Sequence, residues 1–353
     1  MKNRVFLAIA FIFILNIQNT IWAQQQDSIK TKTGILSRTN FAPIPIVSYN
    51  RSYGISAGAM LNCFTDLNPK DTISPASKTG IGAFYSENKS WFTFVFQRLY
   101  LKEDKIRLSW VGGTGIKNFQ YLDDVSDIYD PTYVDFSTEI SFFVVDFTYN
   151  FFSRFYSGLK YKYSNSTTEY DNGNPDEKSR LSGFGIPSSF DNRDYIYNPS
   201  NGFFVNLNYI NNPKWMGNEE TFSYIQLDFN NYQRINENGV LASRLYYYAG
   251  LGTVPFIGEK TIGGKDLRGY SSGDYRSDMV LAIQTEYRYH IYKKWGAVGF
   301  AGIAGAFDGS GLLPAAGLGA RYMIIPKRKM NAGFDIAAGK GDWGLYFRVS
   351  EAF

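Results

Sequence analysis

The chain has 353 residues, a net charge of +4 and a mean hydropathy of −0.25, which excludes a bundle of membrane-spanning helices and says little about charged partners. Phe and Tyr reach 29 and 27 copies and aromatics make up 18% of the residues, more than a soluble domain needs but suited to strands and barrel girdles. A single cysteine, Cys63, excludes an intrachain disulfide and any cysteine metal cluster, and reads as a small apolar strand residue.

The only continuous apolar stretch, Val5 to Ile17, opens the chain behind Lys2 and Arg4 and is followed by Ile21-Trp22-Ala23. It is too short for a spanning helix and ends on a small residue, so residues 1–23 read as a secretory signal cleaved after Ala23. No cysteine follows that site to carry a lipid. Residues 24–40 form a short polar leader in the periplasm, too brief for a folded domain, and residues 41–353 a single β unit.

From there apolar residues recur at every second position, the period of a strand with two different faces. Strands are expected near Ile44 to Asn50 and Gly54 to Phe64, followed by a long connection, Phe64 to Lys78. Gly112-Gly113-Thr114-Gly115 resembles a phosphate loop only superficially, lacking the lysine and hydroxyl spacing, and reads as strand. Phe143, Val145, Phe147, Tyr149 and Phe151 alternate with Val144, Asp146, Thr148 and Asn150. Val205, Leu207 and Tyr209 alternate with asparagines, and Ile225, Leu227 and Phe229 with Gln226, Asp228 and Asn230. Ile283, Thr285, Tyr287, Tyr289 and Ile291 face away from Gln284, Glu286, Arg288 and His290. In the last run, Gly344 to Phe353, the residues Leu345, Phe347 and Val349 alternate with Tyr346, Arg348 and Ser350. No long segment carries apolar residues three and four apart, so the chain reads as helix-free after the signal.

Connections alternate between short and long. Tight turns are expected at Tyr292 to Lys294, Pro326 to Lys329, Asn236 to Gly239 and Leu101 to Asp104. Longer ones fall at Phe119 to Ser137, Tyr170 to Ser179, Pro255 to Ser277 and Asp308 to Leu312. Short periplasmic turns and long outer loops are the norm for outer-membrane barrels, whose closed ladder leaves no backbone group unpaired in lipid. The expected fold is therefore an all-β, antiparallel transmembrane β-barrel of about sixteen strands, five after the Pro255 to Ser277 loop and eleven before it. Fourteen strands stay open, because Phe64 to Lys78 is long where the rhythm wants a short turn.

Within that loop stands Ile262-Gly263-Gly264-Lys265-Asp266-Leu267-Arg268-Gly269-Tyr270. Arg268 reads either as a solvated loop arginine or as a lock folded into the lumen, since the glycines permit tight backbone and a buried guanidinium needs an acid. Inward-facing Glu286 and Asp335 are available for that. Asp191, Arg193, Asp194, Pro199 and Gly202 read as a structural turn, with acids bonding nearby backbone and Gly supplying unusual dihedrals. The acidic run Asp123, Asp124, Asp127 and Asp130 lacks the spacing of a calcium loop and reads as a solvated outer loop, so no metal or cofactor is expected. His290 is the single histidine, with no serine or cysteine in a nucleophile elbow near it, so no catalysis is expected.

These segments, taken together and in this order, resemble the outer-membrane protein 85 superfamily, or bacterial surface antigen family. LRGY at Leu267 to Tyr270 matches the Arg-Gly-Phe or Arg-Gly-Tyr loop that enters the lumen in that family. DNRDYIYNPSNG, Asp191 to Gly202, is similar to its Asp-x-Arg-Asp turn, Glu286-Tyr287-Arg288 to its Glu-x-Arg strand, and YFRVSEAF to its closing strand. The resemblance covers roughly Ser182 to Phe353. It implies a lumenal loop lock at Arg268, Gly269, Tyr270, Glu286 and Asp335, and an insertion signal at Phe347, Val349 and Phe353 that resembles the address of outer-membrane barrels. Two departures stand out: Gly302 occupies the place of the acid in the family's Phe-x-Asp-x-Gly strand, and the periplasmic repeat domains of well-studied members are missing from the sequence.

The resemblance implies assembly or translocation of outer-membrane proteins or lipid through a labile seam between the first and last strands. The alternatives are a channel or porin with Arg288, Arg321, Arg348, Glu286 and Asp228 lining the lumen, and a lipid-acting enzyme, disfavoured by the missing nucleophile. Expected partners are outer-membrane lipid, the barrel assembly machinery for the chain's own insertion, and a separate periplasmic client-binding protein. Nucleic acid is not expected.

Overall fold

The computed structural model describes residues 39–50, 54–122, 133–171, 175–255, 258–270, 275–307, 311–326 and 329–353. The predicted signal, the leader up to residue 38 and the acidic run from Asp123 to Asp130 lie outside the described residues. Eleven strands precede the long loop: β1 (Thr39–Asn50), β2 (Gly54–Thr65), β3 (Ser77–Ser86), β4 (Trp91–Leu101), β5 (Ile106–Leu122), β6 (Tyr133–Phe152), β7 (Phe155–Tyr170), β8 (Glu177–Asp191), β9 (Gly202–Asn212), β10 (Phe222–Arg234) and β11 (Gly239–Gly252). The loop carries two short strands, β12 (Lys260–Ile262) and β13 (Tyr275–Ser277). Five more follow: β14 (Met279–Tyr292), β15 (Trp295–Ala306), β16 (Leu312–Ile325), β17 (Met330–Gly339) and β18 (Trp343–Val349). All except β12 and β13 form one antiparallel ladder in chain order, sixteen strands among the described residues. β1 begins two residues before the predicted start of the barrel.

Period-two alternation sorts side chains between lipid and lumen. Phe143, Phe147, Tyr149 and Phe151 of β6 are exposed outward, and so are Ile283, Tyr287, Tyr289 and Ile291 of β14, while Val144, Asp146, Gln284 and Glu286 are buried inward. At about 3.3 Å per residue, the long β5, β6 and β7 outreach a hydrocarbon core of about 25 Å. The outer parts of β6 and β7 accordingly carry exposed Glu139, Asn165 and Glu169.

The inner face departs from a simple oily-out, wet-in pattern. Along β2 to β6 it is an apolar cluster of Met60, Phe92, Phe94, Phe96, Val111, Ile140, Phe142 and Val144. Glycines make room for the rings: a Cβ on Gly80 or Gly82 would run into Phe96 or Phe94, and one on Gly113 would sit 2.7 Å from Phe142. This is what Gly113 and Gly115 of the Gly112 to Gly115 run do in β5, against Phe142 and Phe92. The outward face of the same wall holds a hydrogen-bonded set in return, with Gln97 donating to Thr79 at 3.1 Å and accepting from Trp110 at 3.3 Å.

The connection that broke the rhythm has a local reason. Lys102, Glu103 and Asp104 between β4 and β5 all take left-handed backbone, with φ of 53°, 57° and 60°, a conformation costly for residues with a Cβ. The segment between β2 and β3 satisfies that turn from outside: Asp71 accepts the Glu103 N–H at 3.0 Å and Ser74 the Asp104 N–H at 2.7 Å.

The sheet does not close. β1 and β18 lie beside one another, yet no ladder joins them among the described residues. The expected closing strand, Gly344 to Phe353, is shorter than its alternation suggests. β18 stops at Val349, Ser350 adopts φ +82°, and Glu351, Ala352 and Phe353 leave the sheet. Phe353 is therefore not on the strand's edge; it packs inward against Tyr232 and Ala242. Alternation records side-chain character and is blind to this backbone reversal.

Candidate functional site

The connection from β11 to β14 turns into the barrel. β12 and β13 pair, Thr261 opposite Arg276, and Ile262, Leu267 and Tyr270 join the apolar core lined by β8 to β11 and β14 to β16. Leu267 and Ile262 are wholly buried there, a burial worth about 1.5–3 kcal/mol for each such side chain.

Arg268 sits at the bottom of the loop, 1% exposed, so the solvated reading does not hold. Its Nη2 donates to Glu286 Oε2 at 2.6 Å and its Nη1 to Asp335 Oδ2 at 2.9 Å; both carboxylates are fully buried. Nε donates to Gln284 Oε1 at 3.3 Å, and the guanidinium lies 3.4 Å from the Phe300 ring centroid. A buried charge is tolerated only when paired and hydrogen-bonded, and here the fork of Arg268 meets acids from two different strands, β14 and β17. Gly302 stands on β15, and a Cβ on it would meet Leu267 Cδ1 at 2.8 Å and Gln284 Cγ at 2.7 Å. The motif's leucine fills the space that the family's usual acid would need.

The neighbouring motif residues are held as tightly. Gly269 has φ +110°, and a Cβ there would lie 2.9 Å from the Ala338 backbone; its N–H donates to Tyr346 Oη at 2.8 Å. Tyr270 Oη donates to the Pro314 carbonyl at 2.7 Å and accepts the Lys340 N–H at 2.9 Å. Arg268, Glu286 and Asp335 are thus in direct contact, while Gly269 and Tyr270 bond to Tyr346, Pro314 and Lys340.

A second ring of charges anchors the loop's shoulder. Arg244 of β11 donates to both oxygens of Asp228, at 2.9 and 3.0 Å, and to Asp266 at 3.0 Å, while Lys260 reaches Asp266 at 2.7 Å. Burial pushes the Asp266 carboxyl up, but the Lys260 and Arg244 cations outweigh it and hold the group below the ordinary carboxylate range. Gln284 completes the contact by donating to the Lys265 and Asp266 carbonyls at 3.0 and 2.8 Å. Arg244, Lys260, Asp266 and Gln284 were not singled out from the sequence. The available signal was the charged pair Lys265-Asp266 immediately before the motif.

The expected pore-lining charges are all taken up in ion pairs, Arg288 with Glu286, Arg321 and Arg348 with Asp335, and Asp228 with Arg244. Arg288 donates to Glu286 at 2.7 Å, Arg321 to Asp335 at 2.5 Å, and Arg348 lies 3.1 Å from Asp335.

At the periplasmic end, Asp191 takes a bidentate contact from Arg193 at 2.8 and 2.7 Å, and Asp194 Oδ1 accepts the N–H groups of Tyr195, Ser200 and Asn201. Gly202 follows at φ +99°. The turn so built reaches the segment after β18: the Tyr197 carbonyl accepts from Ser350 Oγ at 2.8 Å, and the Pro199 carbonyl from Arg288 at 3.4 Å. Glu351 accepts from Arg321 Nε at 2.7 Å and from Asn331 at 2.6 Å, and the Phe353 carbonyl from Arg288 at 2.9 Å. Phe347 and Phe353 do not share a face, because Phe347 is exposed outward and Phe353 is buried inward.

The Omp85 superfamily domain model matches residues 75–334. Among solved structures, the fold is similar to BamA from Haemophilus ducreyi lacking POTRA domains 1-3, with a TM-score of 0.58 and 13% identity over 97% of this chain and 77% of that one. CdiB from Escherichia coli gives a TM-score of 0.61 at 9% identity, covering 88% of this chain and 62% of that one. CdiB from Acinetobacter baumannii gives 0.58 at 10%, covering 88% and 59%, so the chain spans less than two thirds of either CdiB. No curated protein sequence matches the chain. The structural likeness establishes the fold, the strands rather than helices cross the membrane, and the family match takes in well over half of the residues. The chain belongs to the Omp85 superfamily of outer-membrane β-barrels.

Proposed function

We propose that this barrel assembles or translocates outer-membrane proteins or lipid, working at the seam between β1 and β18. The observation that carries the reading is the missing ladder between these two strands, where every other neighbouring pair in the large sheet is hydrogen-bonded. In lipid an unpaired strand edge is costly, and it is also a template on which another strand can be laid down. The channel alternative has less support, because Arg288, Arg321, Arg348, Glu286 and Asp228 are all engaged in ion pairs, with Glu286 and Asp228 also reaching Arg268 and Lys265 of the inserted loop. His290, the side chain weighed for catalysis, is exposed with its Nε2 2.8 Å from the Lys293 carbonyl.

The test is depletion of the protein in its own cells, with outer-membrane protein and lipid content followed alongside solute uptake. The proposal expects outer-membrane content to fall before uptake changes. Unaltered content together with reduced uptake would return the function to a channel. Copurification of a periplasmic client-binding protein is expected on the same reading.

A further inference from the structure

One chain of ion pairs runs from the extracellular loop to the periplasmic end of the seam. Arg268 of the loop shares Glu286 with Arg288 and shares Asp335 with Arg321 and Arg348. Arg321 and Arg288 in turn hold the segment after β18, the first through Glu351 and the second through the Phe353 carbonyl. Four guanidinium groups thus meet three carboxylates; Glu286 and Asp335 are the two acids through which Arg268 joins the relay, beside the direct contact of the Gly269 N–H with Tyr346 Oη on β18.

We propose that seating of the loop and retention of Ser350–Phe353 are coupled through this relay, so that the loop controls how far β18 is drawn off β1. With Arg268 in place, Glu286 and Asp335 are partly neutralised from above, which leaves Arg288 and Arg321 free to reach down to Phe353 and Glu351. When Arg268 leaves, two fully buried carboxylates lose a partner. An unpaired buried charge is far costlier than an exposed one, so Arg288 and Arg321 are pulled wholly to Glu286 and Asp335. Glu351 then loses Arg321, and the polar contacts left to the segment are those with Asn331 and the Tyr197 carbonyl, beside the packing of Ala352 and Phe353 against Tyr232 and Ala242. Ser350 has a left-handed φ of +82°, costly for a residue with a Cβ, so with Arg321 and Arg288 gone from the segment its balance shifts toward extended backbone, able to continue β18 along β1. The Asp191 to Gly202 turn gains a role here, as the opposing jaw that holds the segment inward. This deepens the seam reading and rests on it for its purpose, but the coupling is measurable without any client.

The experiment uses the full chain in detergent micelles with Cys63→Ser as background. A cysteine at Ala352, which is 8% exposed, reports the segment, and one at Thr261, which is 1% exposed, reports the loop; both are labelled with a maleimide. Arg268→Ala is expected to speed labelling at 352 about tenfold, within the range usual for coupled sites, and Glu351→Gln to speed labelling at 261 by a similar factor, because coupling is reciprocal. A cysteine at Ser109, buried on β5 away from the relay, should label at an unchanged rate in both variants. Lys214→Ala, which removes an exposed ion pair with Glu220, should change neither reporter. The proposal is overturned if 352 is unaffected by Arg268→Ala, if 261 is unaffected by Glu351→Gln, or if Ser109→Cys speeds equally and so reveals general loosening. Should Arg268→Ala not fold, the Glu351→Gln arm decides alone. Accelerated labelling without any defect in outer-membrane content would sustain the coupling and remove the assembly reading.

Discussion

Arg268 shows how one side chain organises a lumen. Its guanidinium faces two acids and a glutamine while an aromatic ring covers it, so each of its three nitrogens has a partner within a buried site. The requirement for acids at Glu286 and Asp335 was legible from strand alternation, since both occupy inward positions near the loop in the count of strands. The packing around Gly302 was not, because the absence of an acid in a motif does not say what fills its place; that needs the position of Leu267. Gly302→Asp, which restores the family's usual residue, is accordingly expected to disorder the loop rather than strengthen it. The new side chain has to displace Leu267 and Gln284, an overpacking cost of about 1–3 kcal/mol. Amide exchange across 263–270 checks this, with faster exchange expected and equal or slower exchange speaking against the packing account.

At the scale of elements, the lumenal loop is pinned at two levels, by Arg268 below and by the Asp266, Lys260 and Arg244 cluster at its shoulder. Asp266 is a carboxyl whose value in the folded protein lies below the ordinary 3.8, so its share of the loop's stability is complete above that value. That share is lost as pH falls through the lowered value, when Lys260 loses its counterion and Arg244 keeps only Asp228. Loop amides at 258–270, corrected for intrinsic exchange, should keep their protection from neutral pH down to about 4 and lose it below. Loss of protection on raising the pH would contradict the assignment. Other elements were legible unevenly. Strands, turns and the long loop followed from period-two alternation and from turn residues, and the count of five strands after the loop and eleven before it agrees with the structure. The end of β18 was hidden, because Leu345, Phe347 and Val349 alternate correctly right up to a reversal caused by contacts from Tyr197, Arg321 and Asn331, all far away in the chain.

At the scale of the whole molecule, composition pointed to the membrane through its aromatics, yet the two halves of the barrel use their interiors differently. The β2 to β6 wall turns Phe rings inward over glycines, whereas the wall from β10 to β18 meets the loop with paired charges. Alternation alone does not say which apolar face is the lipid face when both faces carry large side chains, and Phe92, Phe94 and Phe96 were invisible for that reason. The outcome is a barrel filled on one side, locked on the other, and left without a ladder at one place, between β1 and β18. Site-specific photo-crosslinking in growing cells tests that central claim most directly. The crosslinker is placed at Phe41 of β1 and Phe347 of β18, both facing outward, with Leu207 of β9 as an outward position away from the seam. The account predicts adducts with newly made outer-membrane components at 41 and 347 and none at 207; equal adducts at all three positions, or none at the seam, would contradict it.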